Sequence, residues 1–119
     1  MTLHPQDWLA RLPGPPNAQW PEGALSVSAF RHGTLEVKLY APRGSDPQQP
    51  HDRDEVYVVL SGHGRFECGG EVSAFAAGDA IFVAAGQSHR FVEFSEDFAT
   101  WVMFYGPRGG ERHGVGVSP

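Results

Sequence analysis

The punctuation of this chain most constrains its fold: eight short strand-like runs follow one another, each closed by glycine, proline or aspartate. They are Leu25–Arg31, Thr34–Tyr40, Val56–Leu60, Gly64–Cys68, Val72–Phe75, Ala80–Val83, His89–Phe94 and Thr100–Tyr105. His32-Gly33, Ser61-Gly62, Gly69-Gly70, Gly78-Asp79 and Ala85-Gly86 supply turn chemistry between them. Short strands at this spacing, without helical patterns between them, predict an all-β sandwich or closed barrel rather than βαβ units. Asp7 is placed to cap one brief helix through Trp8, Leu9 and Leu12, ended by Pro13. The following PGPPNAQWPEG is too rich in proline for regular structure and reads as an extended arm. The 119 residues thus divide into a helix and arm (1–24), a barrel (25–106) and a flexible tail (107–119) within one domain.

Two runs are apolar on both faces: VYVVL from Val56 to Leu60, and WVMFY from Trp101 to Tyr105. A strand covered on one side only would leave one of those faces wet, so pairing with a second copy in a homodimer is expected. Lys and Arg total 9 against 14 Asp and Glu, for a net charge of -5, and the arginines stand singly. That balance argues against a nucleic-acid partner. No run approaches the roughly 18 apolar residues of a membrane span, and MTLHPQDWLARLPG lacks the form of a secretory signal. Cys68 is the only cysteine, which fits a reducing cytoplasm. It sits ahead of a Gly-Gly turn and reads as an inert strand residue.

Chemistry concentrates in two segments, QQPHDRDEVYVVLSG (Gln48–Gly62) and GDAIFVAAGQSHRFVE (Gly78–Glu93). In an extended strand Gln49, His51 and Glu55 share one parity and point to one face. Asp52 and Asp54 have the other parity and read as solvated turn residues. His89 brings a second imidazole from the second segment. Two histidines and a carboxylate brought together inside a β-structure suit a divalent ion with open coordination positions. Glu55 precedes an apolar run, where a buried carboxylate needs a compensating charge, and a metal supplies one.

These segments resemble the two motifs of the cupin superfamily, in the manner of small single-domain bacterial cupins of the conserved-barrel type. Three residues separate His51 from Glu55, and six separate Glu55 from Gly62; Gly86 precedes His89 by three positions, and Glu93 follows it by four. Fifteen residues lie between Gly62 and Gly78. The resemblance spans Thr34 to Tyr105. It implies an antiparallel double-stranded β-helix, or jelly-roll barrel, with a metal in its mouth held by His51, Glu55 and His89. Three positions depart from the motifs: Gln49 stands for the first histidine, Ala84 for a proline and Glu93 for an asparagine.

A Gln amide is a weaker donor than imidazole, so Gln49 is either a fourth ligand or a partner of metal-bound water. The remaining two-histidine, one-carboxylate set suits Fe(II) and also admits Mn, Ni, Zn or Co. Glu93 shares the parity of His89; it and Tyr57 are the candidates to move a proton. Tyr40, Tyr57, Phe91, Trp101, Met103 and Tyr105 either line a pocket or pack the core. Lys38 and Arg53 are the cations placed to meet an anionic substrate. His4, His32, His63 and His113 fall in turns or termini and carry no assigned chemistry. The resemblance implies a metal-binding protein acting on a small organic molecule, with a dioxygenase as the first reading. An isomerase using the metal as Lewis acid, or a non-enzymatic ligand-binding sensor, are the alternatives.

Overall fold

The computed structural model describes residues 1–112. A short helix, α1 (Pro5–Leu9), precedes β1 (Ser26–His32), β2 (Leu35–Tyr40), β3 (Asp54–Ser61), β4 (His63–Cys68), β5 (Glu71–Ala76), β6 (Ala80–Val83), β7 (His89–Phe94) and β8 (Ala99–Tyr105). All eight expected strands form, with ends shifted by at most two residues. The helix starts earlier than expected: His4 is the cap residue and Pro5 opens the helix, while Asp7 lies in its first turn. Proline's fixed φ and missing N–H suit that first position.

The strands make two antiparallel sheets, one of five strands in the order β1-β2-β8-β3-β6 and one of three in the order β5-β4-β7. No ladder joins the sheets among the described residues, so the jelly-roll barrel is not closed by hydrogen bonds. The chain passes from one sheet to the other between β3 and β4 at Gly62 alone. Gly62 has φ +83°, and a Cβ there would stand 2.7 Å from the Phe98 Cα. Only glycine meets both demands.

Register sets which side chains face inward. Glu55 stands opposite Phe104 and Val83, Tyr57 opposite Val102 and Ile81, and Lys38 opposite Val102. The core is strongly aromatic. Phe91, from the small sheet, lies with ring centroids 4.7 Å from Phe66 and Phe98, 5.0 Å from Tyr57 and 5.4 Å from Phe75. Edge-on and tilted contacts of this kind add to the burial of large rings. The outward face of the large sheet keeps Val56, Val58, Trp101 and Met103 half-buried, and Phe82 is 56% exposed.

The arm is held by a Gly14–Ala24 backbone pair and by the Gln19 amide donating to the Pro47 carbonyl. Its Trp20 packs edge-on to Tyr40 at 6.2 Å. At the other terminus, Arg108 pairs with Asp52, and Gly109 N donates to the Asp52 carbonyl. The expected tail lies partly beyond residue 112, as does His113, and both fall there outside the described residues.

Candidate metal centre

Three elements converge at the barrel mouth. Glu55 projects inward from the start of β3, His89 opens β7, and His51 comes from the irregular segment 41–53. Backbone and carboxylate bonds fasten that segment and the start of β3 to the turn before β7. Gly86 N donates to the His51 carbonyl at 2.6 Å, and Ala85 N donates to Asp54 Oδ1 at 2.9 Å. Asp54 is buried, against the expectation of a solvated turn residue, because it also accepts from Glu111 N and so ties three segments together. Asp52 is exposed, as expected.

One ligand atom from each of His51, Glu55 and His89 can be chosen so that all lie within 4.8 Å of one another. His51 Nδ1 lies 2.9 Å from Glu55 Oε2, and His89 Nε2 lies 2.9 Å from Glu55 Oε1. These contacts have the length of hydrogen bonds without the geometry, and among the described residues His51 Nδ1, Glu55 Oε2 and His89 Nε2 have no hydrogen-bond partner although all three are buried.

The other nitrogen of His89 explains why. Nδ1 stands 2.9 Å from the Gln87 carbonyl, which can only accept, so in the neutral ring Nδ1 carries the proton and Nε2 offers a lone pair. That lone pair faces a carboxylate oxygen. Lone pairs converging in a buried space need a shared cation, either a proton or a metal ion. Ligand atoms about 2.1 Å from an ion and at right angles around it stand about 3 Å apart, which the two imidazole–carboxylate contacts match, each at its own Glu55 oxygen. The donor set fits a divalent ion.

Electrostatics agree with this arrangement. Burial alone would raise the Glu55 carboxyl, but the imidazoles of His51 and His89 and the Tyr57 phenol hold it at about 2. Burial would depress His89, but the Glu55 carboxylate and the Gln87 carbonyl raise it overall. Burial and the Glu55 charge push the Tyr57 phenol well above its usual value. Tyr57 Oη lies 2.7 Å from Glu55 Oε1 and 3.0 Å from Gln48 Oε1; it holds its single proton and has two acceptors for it, the Glu55 carboxylate being the nearer.

The remaining expected site residues lie elsewhere. Gln49 is exposed. Its shared parity assumed an extended strand through residues 49–55, but β3 begins only at Asp54. Gln48 is the glutamine turned inward. Its Nε2 donates to Asp46 Oδ2 at 2.8 Å, which aims its carbonyl oxygen at Tyr57. Asp46, which the sequence reading passed over, is 3% exposed; it also accepts from the Tyr40 hydroxyl and from Phe91 N. Pro47 and Pro50 were the available signal, because prolines break the strand on which a parity argument depends. Glu93 is exposed as well. The ladder between β4 and β7 shifts register between Arg65/Glu93 and Phe66/Phe91, and such a bulge reverses the parity that linked Glu93 to His89.

The pKa directions yield a test. Glu55 is depressed, so its contribution to the metal-free protein is full above its ordinary value of 4.5 and is lost toward about 2. His89 is raised, so its contribution is full below 6.5 and is lost as pH rises through its folded value. A metal takes the place of the proton on Nε2, so its stabilisation grows over the same rise. Between pH 6 and 8.5 the Tm of the metal-free protein is expected to fall while the increment added by Zn(II) increases. An increment equal at both pH values would count against this coupling.

Comparison with known proteins places this chain in a family. A cupin domain model matches residues 36–105. An uncharacterized protein of Streptomyces coelicolor is 39% identical over 80 residues, covering 66% of this chain and 76% of that protein. Among solved structures, a protein from Neisseria meningitidis aligns with TM-score 0.65 at 18% identity, over 89% of this chain and all of that one. KdgF from Halomonas sp. aligns with TM-score 0.60 at 20% identity, over 70% and 78% of the two chains. A Cupin 2 conserved barrel protein from Salinispora arenicola aligns with TM-score 0.58 at 18% identity, over 68% and 74%. At these identities the structures speak for the fold, and the domain match, which spans more than half of the chain, carries the family: this chain is a cupin.

Proposed function

We propose that this cupin is a metal-dependent enzyme that acts on a small organic molecule, with His51, Glu55 and His89 holding a divalent ion. The observation that carries the reading is the convergence of three buried, unpartnered ligand atoms on one space. A set of two imidazoles and one carboxylate leaves open coordination positions and suits oxygen activation at Fe(II), while Mn, Ni, Zn or Co would act as Lewis acids.

The protein's own residues do the rest. The Gln87 carbonyl fixes the His89 tautomer and ring orientation. Asp46 holds Gln48, and Gln48 with Glu55 brackets the Tyr57 hydroxyl. Tyr57 keeps its proton and serves as a donor that orients the Glu55 carboxylate, not as a base. Phe104 packs edge-on to His51 at 4.9 Å and, with Val102, gives the cavity an apolar wall that restricts water.

Oxygen uptake by the Fe(II)-loaded protein tests the reaction class against thiols, catechols and 2-oxo acids. Consumption that depends on one substrate class, and disappears in Glu55→Gln, is expected. Turnover without oxygen in the Zn(II) or Mn(II) form would replace the oxygenase with a Lewis-acid isomerase. Tight metal binding without any turnover would favour a ligand-binding sensor.

A further inference from the structure

A cavity of about 90 Å³ opens beside His51, and Gln19, Trp20, Ser26, Lys38, Tyr40 and Gln48 are among its lining residues. That volume suits a molecule of few non-hydrogen atoms. Its charges are unevenly matched. Glu36, the acidic neighbour of Lys38 on β2, already binds Arg31 at 2.8 Å and Arg53 at 3.4 Å, and it accepts from Ser28 Oγ at 3.0 Å. Arg53 is further occupied by the Thr34 carbonyl at 2.7 Å. One carboxylate therefore serves two guanidinium groups, and Lys38 makes no salt bridge among the described residues.

The other nearby carboxylates are committed as well. Glu55 faces the two imidazoles and Tyr57. Asp46 accepts from Tyr40, from Gln48 through both its amide and its backbone N–H, and from Phe91 N. Among the described residues Lys38 is the one cation lining the cavity, and register places it on the inner face opposite Val102. The other polar lining groups among the described residues are hydroxyls, amides, an imidazole and the Trp20 indole N–H.

We propose that the cavity selects small organic acids, with Lys38 meeting the ligand's carboxylate and Trp20, Tyr40, Val102 and Phe104 enclosing its apolar part. This rests on the cavity being the ligand chamber of the proposed metal enzyme, and it narrows the substrate class. A cation in a partly enclosed site distinguishes a carboxylate from its neutral amide, because only the acid completes a charge-assisted bond. The expected preference is roughly ten- to hundredfold.

The test compares acetate, lactate and benzoate with acetamide, lactamide and benzamide. Binding is followed by NMR at the Trp20 indole N–H, assigned with Trp20→Phe, in both the Zn(II)-loaded and the metal-free protein. At least one acid is expected to bind tenfold tighter than its amide. Lys38→Gln should abolish that preference without changing zinc content, and Lys38→Arg should keep most of it. Equal binding of every acid and amide pair, or no binding at all, overturns the proposal. So does a preference that survives Lys38→Gln and vanishes with zinc, because the carboxylate would then meet the metal alone. If the wild-type chain takes up no zinc, the metal reading fails, and the metal-free comparison still decides the role of Lys38.

Discussion

Glu55→Gln is expected to weaken divalent metal binding on the order of a hundredfold or more while the fold survives. The substitution keeps the shape and removes the charge. Glu55 is 1% exposed and is the one carboxylate between His51 and His89. Loss of a group that merely orients a ligand already costs roughly ten- to hundredfold in affinity, and Glu55 is placed as a ligand itself. The variant should also flatten the fall in metal-free Tm between pH 6 and 8.5, since the carboxylate that raises His89 would be gone. Two controls locate the effect. Gln49→Ala should leave affinity unchanged because Gln49 is exposed. Gln48→Ala should reduce it by about tenfold through the loosened Tyr57. Calorimetric titration with Mn(II) reads all three, and comparable losses in Gln49→Ala and Glu55→Gln would place the site elsewhere.

Phe91→Ala is expected to cost about 4 kcal/mol of stability, toward the upper part of the usual range for a large buried ring. Phe91 is 1% exposed and touches Tyr57, Phe66, Phe75 and Phe98, so it links both sheets, which no hydrogen-bond ladder joins among the described residues. Rings on every side cannot collapse far into the space it leaves, and the cavity cost adds to the lost burial. Urea denaturation measures the change. A loss below about 1.5 kcal/mol would mean that the core repacks, and that the two sheets do not depend on this aromatic cluster.

The strand pattern was legible because glycines and prolines mark turns locally, and all eight runs needed only local information. The positions of His51, Glu55 and His89 were legible for a different reason: two motifs at a fixed separation bring distant segments together. Gln49 and Glu93 were expected to face the cavity through one shared assumption, that alternation continues outside an unbroken ladder, and both are exposed. Pro47 and Pro50 interrupt it before β3, and a bulge interrupts it in β7. Asp46 and Asp54 were illegible for a third reason. A carboxylate in a proline-rich loop reads as solvated until its donors are known, and those donors are backbone and side-chain groups from remote elements: Phe91 and Tyr40 for Asp46, Ala85 and Glu111 for Asp54. The same holds for Lys38, whose freedom is visible only once both guanidinium groups are seen on Glu36.

Crystals of the Mn(II)-loaded protein, measured for anomalous scattering, test the central claim most directly. One peak is expected among His51, Glu55 and His89, at about 2.0–2.3 Å from a ligand atom of each. A peak at other residues, or none while the three side chains hold the positions described above, would contradict the assignment of this cluster as the metal centre.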